Sequence, residues 1–236
     1  MKINILKKII GLIKKVIDKI YFKFFTHSKN KIDPINEDKY YNYLVRLAER
    51  KTIISVDRLY IIYQCLRIIQ KLKGDCAELG VYKGGSAKII SHFLMKYSPQ
   101  KNLYLLDTFE GMPETDKKID RHMKGDFKDT NYNEVKEFLS DSNNIIFLKG
   151  LFSDTLTKIK TKDFCFVHID ADIYSSVKEG IEFFYPKLIN GGIMLFDDYG
   201  FLSCPGAKKA VDEFFENNIE APIYLFTGQC LVHKIK

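Results

Sequence analysis

From Gly74 onward, short runs of apolar and β-branched residues alternate with stretches of helical periodicity. The runs are Cys76–Leu79, Leu103–Leu106, Ile145–Leu148, Cys165–Ile169, Ile193–Phe196, Ile223–Phe226 and Cys230–Lys234. An amphipathic stretch of crossover length lies between each of the first five and after the fifth. That rhythm calls for parallel strands joined by helices, because a strand can return parallel to its predecessor only through a long connection. The last two runs are separated by only Thr227, Gly228 and Gln229, which is too short for a crossover and predicts a hairpin. The expected fold is therefore α/β: a doubly wound, Rossmann-like sheet of seven strands with one antiparallel strand near its edge.

The chain ahead of the sheet is helical in pattern. Ile5, Ile9, Ile13, Val16, Ile20 and Phe24 recur at helical spacing among lysines, predicting a basic amphipathic helix over residues 3–25. A polar stretch containing Pro34 follows as a linker, so the expected division is an extension at 1–36 and a domain at 37–236. Two further helices are expected near 37–50 and 55–72, the second capped by Ser55, with Arg58 on its exposed or functional side. Residues 1–25 hold seven lysines and one acid, which is +6 of the chain's formal +7. The body is close to neutral, and this argues against nucleic acid as a partner. No apolar run is long enough to span a bilayer, and no signal-peptide pattern is present. The basic helix suits packing on the domain, self-association into a homo-oligomer, or peripheral contact with the inner face of an anionic membrane. Five scattered cysteines with no paired spacing read as buried free thiols in a reducing, cytoplasmic compartment.

Chemistry concentrates where the runs end. The first leads through Glu78 into a turn with Gly80, Tyr82, Gly84, Gly85 and Ser86 that opens a helix. In a doubly wound sheet this turn approaches the ligand, and its glycines let backbone come close. The spacing is not the G-x-G-x-x-G of dinucleotide binders. An acid at the strand end suits a cationic ligand such as S-adenosylmethionine, with its ammonium and sulfonium groups. Asp107, followed by Phe109, ends the second run and can accept bonds from ribose hydroxyls. Phe152 and Ser153, after the third run, suit an adenine contact. Each also has a plain structural explanation: a glycine turn, a turn cap, a helix start.

Asp170 and Asp172 end the fourth run, and Asp197 and Asp198 the fifth. Neighbouring strands bring their ends to about 5 Å, so these carboxylates converge. Carboxylates so close repel one another, and a hard divalent cation relieves that repulsion. Such a cation can chelate adjacent substrate hydroxyls and acidify the reacting oxygen.

With these residues in view, the stretch from about Thr52 to the C-terminus resembles the macrocin O-methyltransferase family, whose members methylate macrolide sugars. The resemblance rests on Gly74-Asp75 with Glu78–Ser86, Leu106–Pro113, Gly150–Thr155, Ile169–Ser176, Tyr185–Leu188 with Gly191-Gly192, Asp197–Gly200 and Ala210–Phe214. It implies a class I methyltransferase fold and donor binding by the turn after Glu78, by Asp107 and by Asp170. It further implies a Mg2+ site at Asp170, Asp197 and Asp198, and a mobile lid over Met112–Asp129. The family's macrolide substrate does not carry over; the acceptor expected is a hydroxyl-bearing small molecule, a sugar or glycoconjugate first. For the catalytic base the sequence offers His168, which alternates with Asp170 on the fourth run, His122 in the lid, and Asp170 or Asp172. Two rivals stand beside this reading. Asp170-Ala171-Asp172 also matches the D-x-D motif of glycosyltransferases, and a non-catalytic scaffold is conceivable. Neither accounts for both the glycine turn and the second acid pair.

Overall fold

The computed structural model describes residues 34–236. The basic helix expected over residues 3–25, with the membrane or self-association role attached to it, lies outside the described residues. A single helical turn occupies Pro34–Glu37, and the compact unit that carries the sheet runs from Asp38 to Lys236.

Helix α1 (Lys39–Ala48) starts where Asp38 accepts bonds from the Tyr40 and Tyr41 N–H groups at 3.1 and 2.9 Å. Helix α2 (Val56–Ile69) follows. Ser55 takes its N-cap position but caps no N–H; its Oγ instead accepts from Arg58 Nε at 3.4 Å. The sheet elements are then β1 (Asp75–Leu79), α3 (Gly85–Tyr97), β2 (Leu103–Asp107), α4 (Tyr132–Phe138), β3 (Ile145–Lys149), α5 (Phe152–Thr155) and β4 (Phe164–Ile169). They continue through α6 (Tyr174–Phe184), β5 (Leu188–Phe196), α7 (Pro205–Phe215), β6 (Ile223–Tyr224) and β7 (Cys230–His233).

The strand order is β3-β2-β1-β4-β5-β7-β6, parallel except for β7, which runs antiparallel to both neighbours. The sequence rhythm anticipated seven strands and the hairpin. It placed the end of β6 too late. Leu225 N–H donates to Gln229 O and Gly228 N–H to Leu225 O, so the turn closes before Phe226, which is left fully exposed.

Every residue of β4 is buried, the near-continuous apolar run expected of a central strand covered on both faces. Helices α1, α2 and α3 pack with one another, and α6 packs on α7. A cluster including Leu79, Leu106, Val167, Ile181, Phe184, Phe196 and Val211 fills the core. Chain order reverses between β1 and β4, and the carboxyl ends of β1, β2, β4 and β5 therefore open on one crevice.

Candidate active site

Gly80 follows β1 at φ +83°, and a Cβ built there would stand 1.7 Å from the Asp170 carbonyl oxygen. Only glycine allows the β1 and β4 ends to approach this closely. Beyond it, Tyr82 takes a left-handed φ of 51°, and Gly84 a φ of +86° at the cap of α3. Asp107 holds this turn. Its Oδ2 accepts from the Val81 and Tyr82 N–H groups at 2.7 and 2.9 Å, and its Oδ1 from Phe109 N–H at 2.7 Å. The carboxylate that sequence assigns to a ribose thus also fixes the turn beside it. Phe109, Phe127 and Asp172 are likewise left-handed, at φ 54°, 60° and 54°. Strained backbone of this kind gathers at functional sites.

A cavity of about 400 Å³ opens over these strand ends, a volume suited to a small-molecule ligand. Of the expected donor residues, Gly80, Tyr82, Gly85, Ser86, Asp107, Phe152, Ser153 and Asp170 line it. Asp172 and Asp198 line it too, as do Met112, Pro113, Glu114 and Phe127 of the covering segment. Glu78, Gly84 and Phe109 are not among the lining residues. That segment is irregular, and it is tied back where Asp120 Oδ1 accepts from Tyr174 N–H at 2.9 Å.

The second constellation assembles as the strand-end argument expected. Carboxylate oxygens of Asp170, Asp197 and Asp198 lie within 4.8 Å of one another. Asp198 Oδ2 also accepts from Asp172 N–H at 3.0 Å. Burial, then repulsion from Asp197, Asp198 and Asp172, pushes Asp170 well above the ordinary carboxylate range. Asp198 is raised by burial and by its acidic neighbours. For Asp197 burial acts in the same direction, but hydrogen bonding and attraction from His168, with Arg58 and Gln229, outweigh it and hold the group low.

His168 is the main departure from the sequence expectation. It is fully buried and lines no part of the cavity, so it is not placed to meet an acceptor. Its Nδ1 lies 2.9 Å from Glu78 Oε1 and its Nε2 3.5 Å from Asp197 Oδ1. Burial opposes its charge, yet bonding to Asp197 and Glu78 prevails and raises its pKa to about 9. Glu78, expected to meet a cationic ligand, is fully buried against this imidazole. Its Oε2 has no hydrogen-bond partner among the described residues. His122 lies behind Asp172, with Nε2 3.6 Å from Asp172 Oδ1. Asp170 and Asp172 are the two candidate bases that reach the cavity.

Three contributors were not assigned to the site from the sequence, although Arg58 was placed on the exposed or functional side of its helix. Arg58, on the first turn of α2, lines the cavity, pairs with Asp197 Oδ2 and stacks over Phe201 at 4.9 Å. Gln229, in the β6–β7 turn, donates to Asp197 Oδ1 at 2.7 Å. The Lys51–Ile54 stretch before α2 forms another wall. Only the position of Arg58 at a helix start gave any signal.

A seven-stranded sheet in this order with β7 alone antiparallel, a glycine turn after β1 and an acid ending β2 defines the class I methyltransferase fold. Residues 25–234 match the macrocin O-methyltransferase family model. The chain belongs to that family and is an S-adenosylmethionine-dependent O-methyltransferase. It is 28% identical over 181 residues to the demethyldecarbamoylnovobiocin O-methyltransferase of Streptomyces niveus, covering 71% of this chain and 68% of that protein. It is also 28% identical over 171 residues to the 8-demethyl-8-(2,3-dimethoxy-alpha-L-rhamnosyl)-tetracenomycin-C 4'-O-methyltransferase of Streptomyces olivaceus, covering 66% of this chain and 65% of that one. Among solved structures, the O-methyltransferase NovP superposes with a TM-score of 0.70 at 25% identity, over 79% of this chain and 83% of that one. No described helix is long and apolar enough to cross a membrane.

Proposed function

We propose that this enzyme methylates a hydroxyl of a sugar or glycoconjugate with the help of a divalent cation held by Asp170, Asp197 and Asp198. The observation that carries the reading is the convergence of three carboxylates within 4.8 Å of one another, two of which, Asp170 and Asp198, line the cavity while Asp197 is buried behind it. Among the described residues, the cationic side chains bonded to the trio are Arg58 and His168, and both engage Asp197. The raised pKa of Asp170 and Asp198 expresses an excess of negative charge that such an ion would neutralise. An all-oxygen donor set fits a hard ion, Mg2+ first.

When bound, the ion supplies positive charge to an acceptor oxygen as that oxygen loses its proton. The other roles fall to the chain itself. The Gly80–Ser86 turn and Asp107 seat the donor, with Asp107 positioned for the ribose. Phe152 and Ser153 close the adenine end. Arg58, His168 and Gln229 hold Asp197 ionised and fixed in place. Asp172, which lines the cavity beside the trio, receives the acceptor proton. The covering segment excludes water from the methyl transfer.

A sugar acceptor is favoured by hydroxyl-bearing and polar lining at Thr52, Thr130, Ser175, Ser176 and Glu179, and by the rhamnosyl acceptor in the name of the Streptomyces olivaceus relative. The test is methyl transfer from S-adenosylmethionine to a panel of free and nucleotide-linked sugars and catechols, with Mg2+ or with excess EDTA. Activity on sugars that EDTA abolishes is expected, and Asp197→Asn should remove it while S-adenosylhomocysteine still binds. Full activity in EDTA would sink the metal role, and turnover of catechols alone would sink the sugar assignment.

A further inference from the structure

A second, chemically different constellation lies next to the carboxylate trio. His122 comes from the covering segment, Asp172 from the end of β4, and Cys204 from the residue that opens α7. His122 Nε2 stands 3.6 Å from Asp172 Oδ1 and 3.7 Å from Cys204 Sγ, and Cys204 Sγ stands 3.4 Å from the same Asp172 oxygen. In a tetrahedral zinc centre, nitrogen and oxygen lie about 2.0–2.1 Å from the ion and sulfur about 2.3 Å. Tetrahedral angles then separate the ligand atoms by roughly 3.3–3.6 Å. The observed triangle matches those separations to within about 0.3 Å.

The outer contacts fit the same picture. His122 Nδ1 lies 3.0 Å from Asp126 Oδ2. A carboxylate on the far nitrogen sets the tautomer that turns the Nε2 lone pair toward Asp172 and Cys204, and metal-binding histidines are almost always backed this way. Asp126 is itself anchored by Met123 N–H at 3.0 Å. Cys204 is buried at 3% exposure, while the His122 and Asp172 side chains are 19% and 16% exposed, which leaves an entry path. Among the described residues this group and the carboxylate trio are the two able to hold an ion.

We infer that His122, Asp172 and Cys204 form a second cation site, built for a borderline-soft divalent ion such as zinc rather than for magnesium. Imidazole and thiolate prefer zinc or cobalt, whereas the trio offers oxygen alone. On binding, the Cys204 thiol gives its proton to solvent and its sulfur becomes a ligand. The ion engages one of the two Asp172 oxygens. It also fastens the covering segment to the end of β4 and the start of α7, so the site closes over the cavity from behind its wall.

The test is an optical titration of the full-length protein with Co2+ in the presence of excess Mg2+. A thiolate-to-cobalt charge-transfer band with tetrahedral d–d absorption, saturating at one equivalent, is expected. Cys204→Ser should abolish the charge-transfer band, and Asp126→Asn should weaken Co2+ affinity by about 10–100-fold. Asp197→Asn should leave the band in place. No such band in the wild-type protein, or a band undiminished in Cys204→Ser, overturns the assignment. The titration reads no methyl transfer, so its failure leaves the magnesium reading standing, and the reverse also holds.

Discussion

The Glu78–His168–Asp197 chain sets a buried cation between two buried anions, and replacing His168 with leucine removes the cation alone. Both carboxylates are fully buried, and Glu78 already has one oxygen without a hydrogen-bond partner among the described residues. Asp197 would keep Arg58 and Gln229, but Glu78 would keep no partner for Oε1 other than what relaxation supplies. Stripping one member from a buried ion pair costs about 3–5 kcal/mol, because the remaining charge stays desolvated. His168→Leu should therefore lower the unfolding free energy by roughly that amount in urea denaturation at pH 6.5 with EDTA present.

The same group gives a pH signature. Its folded pKa is raised from 6.5 to about 9. The stabilisation from its charged form is complete below pH 6.5 and is lost as pH rises through 9. That difference amounts to roughly 3 kcal/mol. The wild-type protein without metal should lose stability across this window, and the leucine variant should not share the loss. A variant within about 1 kcal/mol of wild type, or parallel pH profiles for the two, would refute the buried-cation argument.

Three further outcomes follow from other parts of the molecule. Asp107→Ala removes the acceptor for three backbone N–H groups and the expected ribose contact, so donor affinity by calorimetry should fall by one to two decades, about 1.5–3 kcal/mol. Unchanged affinity would remove Asp107 from the donor site. Gly80→Ala forces a Cβ onto the Asp170 carbonyl at 1.7 Å in a left-handed conformation, so it should cost roughly 3 kcal/mol or more in thermal or urea unfolding. Asp38→Ala deletes the cap of α1 and should cost about 1 kcal/mol, measured the same way.

The strand ends were legible because their signals are local. An apolar run, the acid that terminates it and the glycine after it are contiguous, and the rule that ligands sit at carboxyl ends converts sequence position into spatial position. Asp170, Asp197 and Asp198 could therefore be placed together from the sequence, as could the turn around Gly80 and Asp107. The environment of each acid was not legible in the same way. Arg58 meets Asp197 across 139 residues and Gln229 meets it across 32, and neither partner carries a motif. His168 shows the same limit. Alternation along β4 put it on a face with Asp170, yet the choice between lining a cavity and bridging two strands is made by the neighbours. In register, Glu78 stands directly beside His168 on β1, and Asp197 lies one residue past β5.

That difference explains why the two acids behind the cavity and the acids on its floor carry opposite electrostatics. Glu78 and Asp197 share a cation supplied by the chain, so their charge is settled within the fold. Asp170 and Asp198 have no such partner among the described residues, and their mutual repulsion remains as a demand on whatever binds. Asp197 belongs to both sets. Tied to His168, Arg58 and Gln229, it is the most fixed carboxylate of the trio, the one around which a cation could be located reproducibly while Asp170 and Asp198 adjust. A substitution at His168 should then be felt at the cavity floor as well as in the core. It loosens the one ligand whose position the interior dictates, and metal affinity should weaken along with stability.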